Sequence, residues 1–416
     1  MRAVLWVWIS AAALACASAS TRPDAQDLDA DGAGAADGAD GVADGADGAG
    51  LPASIRFELQ QQVTVRQAQG VHLAFPAAAR LADGRILLVY REGDSHVDAS
   101  GRIVAQYGAA DASEWEAPRT IVDTPDIDDR DPSVRRLADG SLLLTWFQYR
   151  RQSAAGTTLT LHQIFAARSA DSGESWSPAH QISEGPMQVE DPRIEDGKWL
   201  DAQDRIVRVA ACSSPAVEHG GRILLMAYVG DALVLADLAS AARSRISLIS
   251  SQDGESWSEA LVAPEKAPDT WLMEPALAVL ADGTWLVHIR TADGTSPSSA
   301  GALLQSRSAD GRTWSDDEAF GFVGHAPDLL ELRCGALVSA FRELDFGLTH
   351  EWVSFVHSID RGQTWSEAER VADCGRSECG YPSLVELDAD RLLVVYYGPG
   401  GRSLEAAVYG FATGAR

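Results

Sequence analysis

Lysine is nearly missing from these 416 residues: it occurs only at Lys198 and Lys266, and arginine supplies the rest of the 34 basic side chains. Basic residues of both kinds are outnumbered by 60 acidic ones, which leaves a net charge of −26. A nucleic-acid binder would need the opposite sign, because phosphate contacts come from lysine and arginine. Beyond the N-terminus there is no apolar run of about 18 residues, the length a spanning helix requires, and this excludes an integral membrane transporter. Long helical periodicity is also missing. Cysteines number five, and no histidine pair at ligand spacing stands near Cys212, Cys334, Cys374 or Cys379, so the sequence gives no metal site and calls for no cofactor. What is present is a 46% hydrophobic content, enough to build a core and to exclude wholesale disorder.

Residues 1–16 read as an export signal. Arg2 gives a positive start, and Val4 to Leu14 is an apolar run too short to span a membrane. The run ends Ala13-Leu14-Ala15-Cys16, which resembles the cleavage site of bacterial lipoproteins, whose cysteine is lipidated and becomes the new N-terminus. Ordinary cleavage after Ala15 or Ala19 is the simpler reading, and both export the mature chain to the envelope or beyond. Residues 17–55 read as a disordered linker. Within it, residues 21–50 are nearly all Asp, Gly and Ala, with eight aspartates against Arg22, a net of −7. Such a segment has little to bury. Asp27-Leu28-Asp29-Ala30-Asp31-Gly32 copies the start of a calcium loop, but Gly38 stands where the bidentate Glu belongs. Export permits disulfides, and Cys374 and Cys379 are close enough in sequence to close a small loop.

From residue 51 on the sequence repeats. A proline, an apolar stretch, usually an Asp-Gly turn and a second apolar run recur at Pro76, Pro132, Pro215, Pro275, Pro327 and Pro382. Runs such as Ile86-Leu87-Leu88-Val89-Tyr90 and Leu392-Leu393-Val394-Val395-Tyr396 are strand-like, and short strands joined by Asp-Gly are hairpins. A second phrase, S-x-D-x-G-x-x-W, stands at Ser169 to Trp176 and Ser358 to Trp365, with versions one residue shorter at Ser251 to Trp257 and Ser308 to Trp314. Here Asp can cap backbone amides, Gly takes positive φ and Trp plugs a gap between sheets, so the phrase is structural. Six such units predict an all-β, six-bladed propeller over residues 56–416. The prolines are about 50–60 residues apart except for about 83 between the second and third, which predicts an insertion around Arg193 to Arg208.

The S-x-D-x-G-x-x-W phrase is the Asp-box. Together with six repeats, it resembles the sialidase (neuraminidase) superfamily over roughly residues 60–412. In a propeller the residue before each proline phrase should point at the axis: Phe75, Asp131, Ser214, Glu274, Ala326 and Tyr381. The return strands offer Arg91, Arg290, Arg342 and Tyr397. The resemblance implies a tyrosine nucleophile opening the last blade, matched by Tyr381, and a glutamate activating it from the fourth, matched by Glu274. It implies a substrate-carboxylate arginine at Arg290. It also implies an acid/base aspartate on the loop after the first hairpin, where Asp94 and Asp98 are both candidates. A phenol suits a sugar bearing a carboxylate on its anomeric carbon, because a carboxylate nucleophile would be repelled. Forked arginines suit that substrate carboxylate.

Two departures stand out. Sialidases begin with Arg-Ile-Pro, but this chain has Leu73-Ala74-Phe75-Pro76, and His350 stands where a third arginine is usual. Arg91 and Arg342 are the candidates to replace the missing charges. A second cluster, Tyr90-Arg91-Glu92-Gly93 with His96 and the run Asp126 to Pro132, suggests a different sugar or acid/base arrangement, and His325, beside Ala326, is a further candidate at the substrate. The expected function is a retaining exo-glycosidase on a terminal, anionic sugar, with carbohydrate as its only partner and membrane contact only through a lipid on Cys16. The rivals are a glycosidase using Asp131 and Glu274 as a carboxylate pair, and a non-catalytic carbohydrate-binding propeller.

Overall fold

The computed structural model describes residues 51–232, 244–263, 270–293, 298–345 and 347–414. Cys16, the export signal and the calcium-like stretch lie outside them. The described residues fall in one compact unit, 46–416, that is almost wholly β. A single turn of 3-10 helix, Pro399–Gly401, is the one helical element among them.

The proline hairpins build antiparallel sheets. The first sheet runs His72–Arg80, Ile86–Gly93, Arg102–Gly108 and Arg119–Val122, and the second begins with Asp128–Arg136 and Leu142–Ala154. The third is centred on Arg222–Asp231. A seven-stranded sheet follows, from Thr270–Val279 to Glu369–Gly375. Its central strand, Glu318–Glu331, pairs through its N-terminal half with Ala302–Ser308 and through its C-terminal half with Leu337–Leu344. The last sheet holds Gly380–Asp388, Arg391–Tyr397 and Ser403–Gly414. Its outer edge is Ser54–Gln67, so the start of the repeat region is zipped to the chain's end.

Apolar side chains from neighbouring sheets interlock in sequence around the unit. Leu87 and Val89 meet Leu144 and Trp146, Phe147 and Ile164 meet Leu225, and Leu224 and Met226 meet Val287. Within the seven-stranded sheet Leu286 meets Leu337, after which Val338 and Phe355 meet Leu392 and Tyr409. Val395 and Tyr397 of the last sheet then pack on Leu73 and Tyr90 of the first. Fully burying each such side chain contributes roughly 1.5–3 kcal/mol. The arrangement is propeller-like.

The Asp-box turns are held as their residue types dictate. Asp171 Oδ1 accepts from Ser175 N at 2.9 Å and Ser169 Oγ accepts from Gly173 N at 2.8 Å, and the turns at Ser251, Ser308 and Ser358 repeat the pattern. Hydrogen bonds led by the Ser175 hydroxyl pull Asp171 down to about 2. The expected insertion contains a small hairpin, Arg193–Glu195 with Lys198–Leu200, whose Trp199 packs on Leu159 and Leu161.

The proline phrases explain how side chains reach the axis. Proline closes the right-handed helical region to the residue before it. Phe75, Asp131, Glu274, Ala326 and Tyr381, each before a phrase proline, take left-handed rather than extended backbone, with φ between 45° and 56°. At each of them the pairing register slips, forming a bulge in the strand. A bulge re-aims a side chain out of the normal pleat. Five non-glycine residues in strained backbone, all at the same point of the repeat, mark one end of the axis as the candidate site.

Candidate functional site

Glu274 is the hub. Its Oε1 accepts the hydroxyl of Tyr381 at 2.5 Å and Arg290 Nη1 at 2.6 Å, while Oε2 accepts the backbone amide of Ala326 at 2.8 Å. The donors come from three different repeats, and the acceptor is only 4% exposed, so the pairing offsets the cost of burying a charge. Arg290 stands on Trp285–Asp293, which pairs with the strand carrying Glu274. Burial, followed by the negative charges of Glu274 and Asp131, holds the Tyr381 phenol well above its usual range. Left alone, this phenol stays neutral.

Asp131 shares a narrow cavity with Tyr381, lined also by Phe75, Ala326 and the phrase prolines. Its Oδ1 is buried and makes no hydrogen bond. The nearest cation is Arg130 Nε, at 3.9 Å. Burial raises the Asp131 carboxyl to about 7, with Arg130 opposing and Glu274 reinforcing. A carboxyl with that affinity carries a proton near neutral pH.

Arg91, expected at the substrate, is placed elsewhere, and this corrects the sequence reading. It is fully buried, its Nε bonds Asp128 Oδ1 at 2.6 Å and its Nη1 bonds the Ser95 carbonyl at 2.8 Å. Its work is to hold the loop after the first hairpin. On that loop Asp94 is exposed, and Asp98 is half-buried with Oδ1 accepting from Ser100 N at 2.9 Å. His96 turns its ring to Phe75, 5.4 Å between centroids.

Arg342 is mostly buried and pairs with Glu351 at 2.7 Å, beside the backbone of Gly380 that precedes Tyr381. His325 lies opposite Arg342 in register. Burial, with Arg290 and Arg342 nearby, keeps His325 neutral. His350 is surface-lying, stacked on Trp352 and 2.6 Å from Asp373. Cys374 and Cys379 are bonded to each other, and Cys212 and Cys334 are free.

Two residues had no role in the sequence reading, although Arg130 stood within its charged run Asp126 to Asp131. Arg130 is buried, spans Asp128 at 3.0 Å, and lies over the Phe75 ring at 4.9 Å. The Phe75 ring in turn meets Tyr381 at 4.6 Å. The signal for Arg130 was available: Arg130-Asp131-Pro132 has the Arg-x-Pro spacing that the first phrase lacks. Glu378, within the disulfide loop, accepts the Tyr397 hydroxyl at 2.7 Å and had no sequence signal.

No family model and no curated protein matches the sequence. Solved structures do match in fold. A protein of unknown function from Dyadobacter fermentans is 22% identical, covers 86% of this chain and 99% of its own, with a TM-score of 0.67. A Hadza microbial sialidase is 17% identical over 82% of this chain and 66% of its own, with a TM-score of 0.59. The alpha-L-arabinanase of Penicillium chrysogenum is 13% identical over 85% of this chain and 98% of its own, with a TM-score of 0.57. The chain therefore has the all-β, propeller-like fold found in sialidases and an arabinanase. At these identities the likeness concerns the fold, and function has to be argued from the site.

Proposed function

We propose that the protein is a sialidase-like retaining exo-glycosidase acting on a terminal, anionic sugar. The observation that carries this is the 2.5 Å bond from the Tyr381 hydroxyl to Glu274, with Arg290 on the same carboxylate oxygen. The pairing switch inside Glu318–Glu331 supports counting the seven-stranded sheet as two blades, six in all.

In this reading Tyr381 Oη attacks the anomeric carbon and passes its proton to Glu274. The bond to the leaving oxygen breaks as that oxygen takes a proton. Water then attacks the anomeric carbon, the same acid, now a base, accepts a proton from that water, and the tyrosine–sugar bond breaks as Tyr381 Oη takes its proton back from Glu274. We assign that acid/base role to Asp131 rather than to Asp94 or Asp98, because Asp131 shares the cavity with Tyr381 and holds its proton near neutral pH. Arg290 and Arg342 remain the arginines offered to the substrate carboxylate. Arg130 replaces Arg91 among them: it brings from the second repeat the charge that the first phrase lacks. The rival that pairs Asp131 with Glu274 as two catalytic carboxylates needs Tyr381 turned away, and the phenol instead faces Glu274.

Fluorogenic glycosides, sialosides included, test the assignment. Tyr381→Phe is expected to abolish sialoside turnover. Glu274→Gln should lower it about 10²–10⁴-fold, the usual contribution of a positioned base. Sialoside turnover that survives Tyr381→Phe unchanged removes the tyrosine mechanism, and tight sugar binding with no turnover by the wild type favours a binding propeller.

A further inference from the structure

The seam where the last sheet closes on the first packs apolar side chains and carries polar contacts, Arg66 with Tyr90 and Glu92 and the Ser383 hydroxyl with Ala78 N among them, and at one place it gathers three metal-ligating side chains. His72 opens the first strand of the first sheet, His96 stands on the loop after its second strand, and Glu378 sits inside the Cys374–Cys379 loop. One ligand atom from each lies within 4.8 Å of those of the other two. The two imidazole rings meet edge to face at 5.3 Å. Both ring nitrogens of His72 are buried and neither makes a hydrogen bond. His96 Nδ1 approaches Glu378 Oε1 to 2.7 Å, yet outside hydrogen-bonding geometry. A buried imidazole whose donor and acceptor are both unpaired is costly. Three side chains from distant parts of the sequence thus converge on a common point, where His96 pairs with Glu378 and both nitrogens of His72 are left without a partner.

We propose that His72, His96 and Glu378 form a site for one divalent first-row transition-metal ion, with zinc the best fit. Two imidazoles and one carboxylate are a zinc-type donor set, whereas calcium and magnesium call for oxygen ligands throughout. The ligands are held in place. The Tyr397 hydroxyl donates to Glu378 Oε1 at 2.7 Å, the outer-shell support that ligating carboxylates use. Gly400 N bonds the Glu378 carbonyl at 2.6 Å, and Gly401 packs so closely on His72 that a Cβ there would come within 2.5 Å of the ring. The positive charges nearby each have an acidic partner, Arg342 with Glu351 and both Arg91 and Arg130 with Asp128.

A metal here joins the first sheet, the loop carrying Asp94 and Asp98, and the disulfide loop of the last sheet. It is a staple across the closure of the fold, and it stands whether or not the glycosidase reading does. The test uses the full-length chain stripped with chelator, then titrated with Co2+ and with Zn2+. One equivalent of Co2+ should bind with visible d–d absorption, Zn2+ should displace it, and Zn2+ should raise the melting temperature. His96→Ala, on a half-exposed loop where the fold tolerates change, should remove that equivalent and the thermal shift. His72→Ala should do the same. Tyr397→Phe should weaken binding about 10–100-fold. A wild type that binds no stoichiometric Co2+, or a Co2+ spectrum identical in wild type and His96→Ala, overturns the site. The second result places the ion outside this cluster. Neither readout involves a glycoside.

Discussion

A carboxylic acid that keeps its proton near neutral pH needs a dry setting and few donors, and Asp131 has both. Its folded affinity, about 7, lies above the 3.8 of a free aspartate, so the folded state holds the proton more tightly than the unfolded one. Stability from that proton is full below about pH 4 and is lost as pH rises through about 7. Asp131→Asn removes the loss. Urea unfolding should find the variant and the wild type alike near pH 4, and the variant more stable near pH 8, by up to about 4 kcal/mol. Turnover should show the partner effect: wild-type activity falls as pH rises through about 7, and Asp131→Asn lacks that limb. Equal stability at both pH values would show that Asp131 ionises freely. The residue type and its place before Pro132 could be read from the sequence. Its missing hydrogen bond could not, because that depends on what Arg130 does with its guanidinium.

The element that makes the site is the bulged strand start before each proline. Its position is tied to the phrase proline, and the register slips at each of the five left-handed residues before it. That is why the inward positions were legible as a set from spacing alone. Ser214 follows a different course: it is not left-handed, and its hydroxyl donates to the Pro275 carbonyl at 2.6 Å. Spacing does not reveal how tightly a bulge is packed. Gly380, with φ of +118°, sits against Arg342 so that a Cβ would lie 2.7 Å from the arginine Cβ. Gly380→Ala therefore meets both strained backbone and a clash, and should cost about 1–3 kcal/mol in chemical denaturation. Because Tyr381 is the next residue, sialoside turnover should fall as well. Unchanged stability and turnover would mean that Arg342 yields and that Gly380 does not position Tyr381.

At the scale of the whole molecule, the edge strand Ser54–Gln67 completes the sheet that begins at Gly380, so the two ends of the repeat region share one sheet. The tyrosine of the last repeat is thereby brought against Phe75 of the first, and His72 and His96 against Glu378. The segment before residue 51 lies outside the described residues and carries the expected export signal and Cys16. We propose that it exports the chain and that Cys16 is lipidated. Wild-type protein should then partition into the membrane fraction and Cys16→Ser should not. Complete membrane partitioning of Cys16→Ser would end the anchor proposal.

The sequence by itself determined the repeat, the hairpins, the Asp-box turns and the identity of the residues at the inward positions, because each rests on interactions within a few residues. Only the tertiary structure decided that Arg91 serves a loop, that Arg130 lies over Phe75, and that two histidines meet a glutamate some 280 residues further on. Those outcomes depend on which buried charge finds which partner once the sheets pack side by side. Pairing of that kind is fixed by three-dimensional proximity and desolvation, which no spacing along the chain encodes.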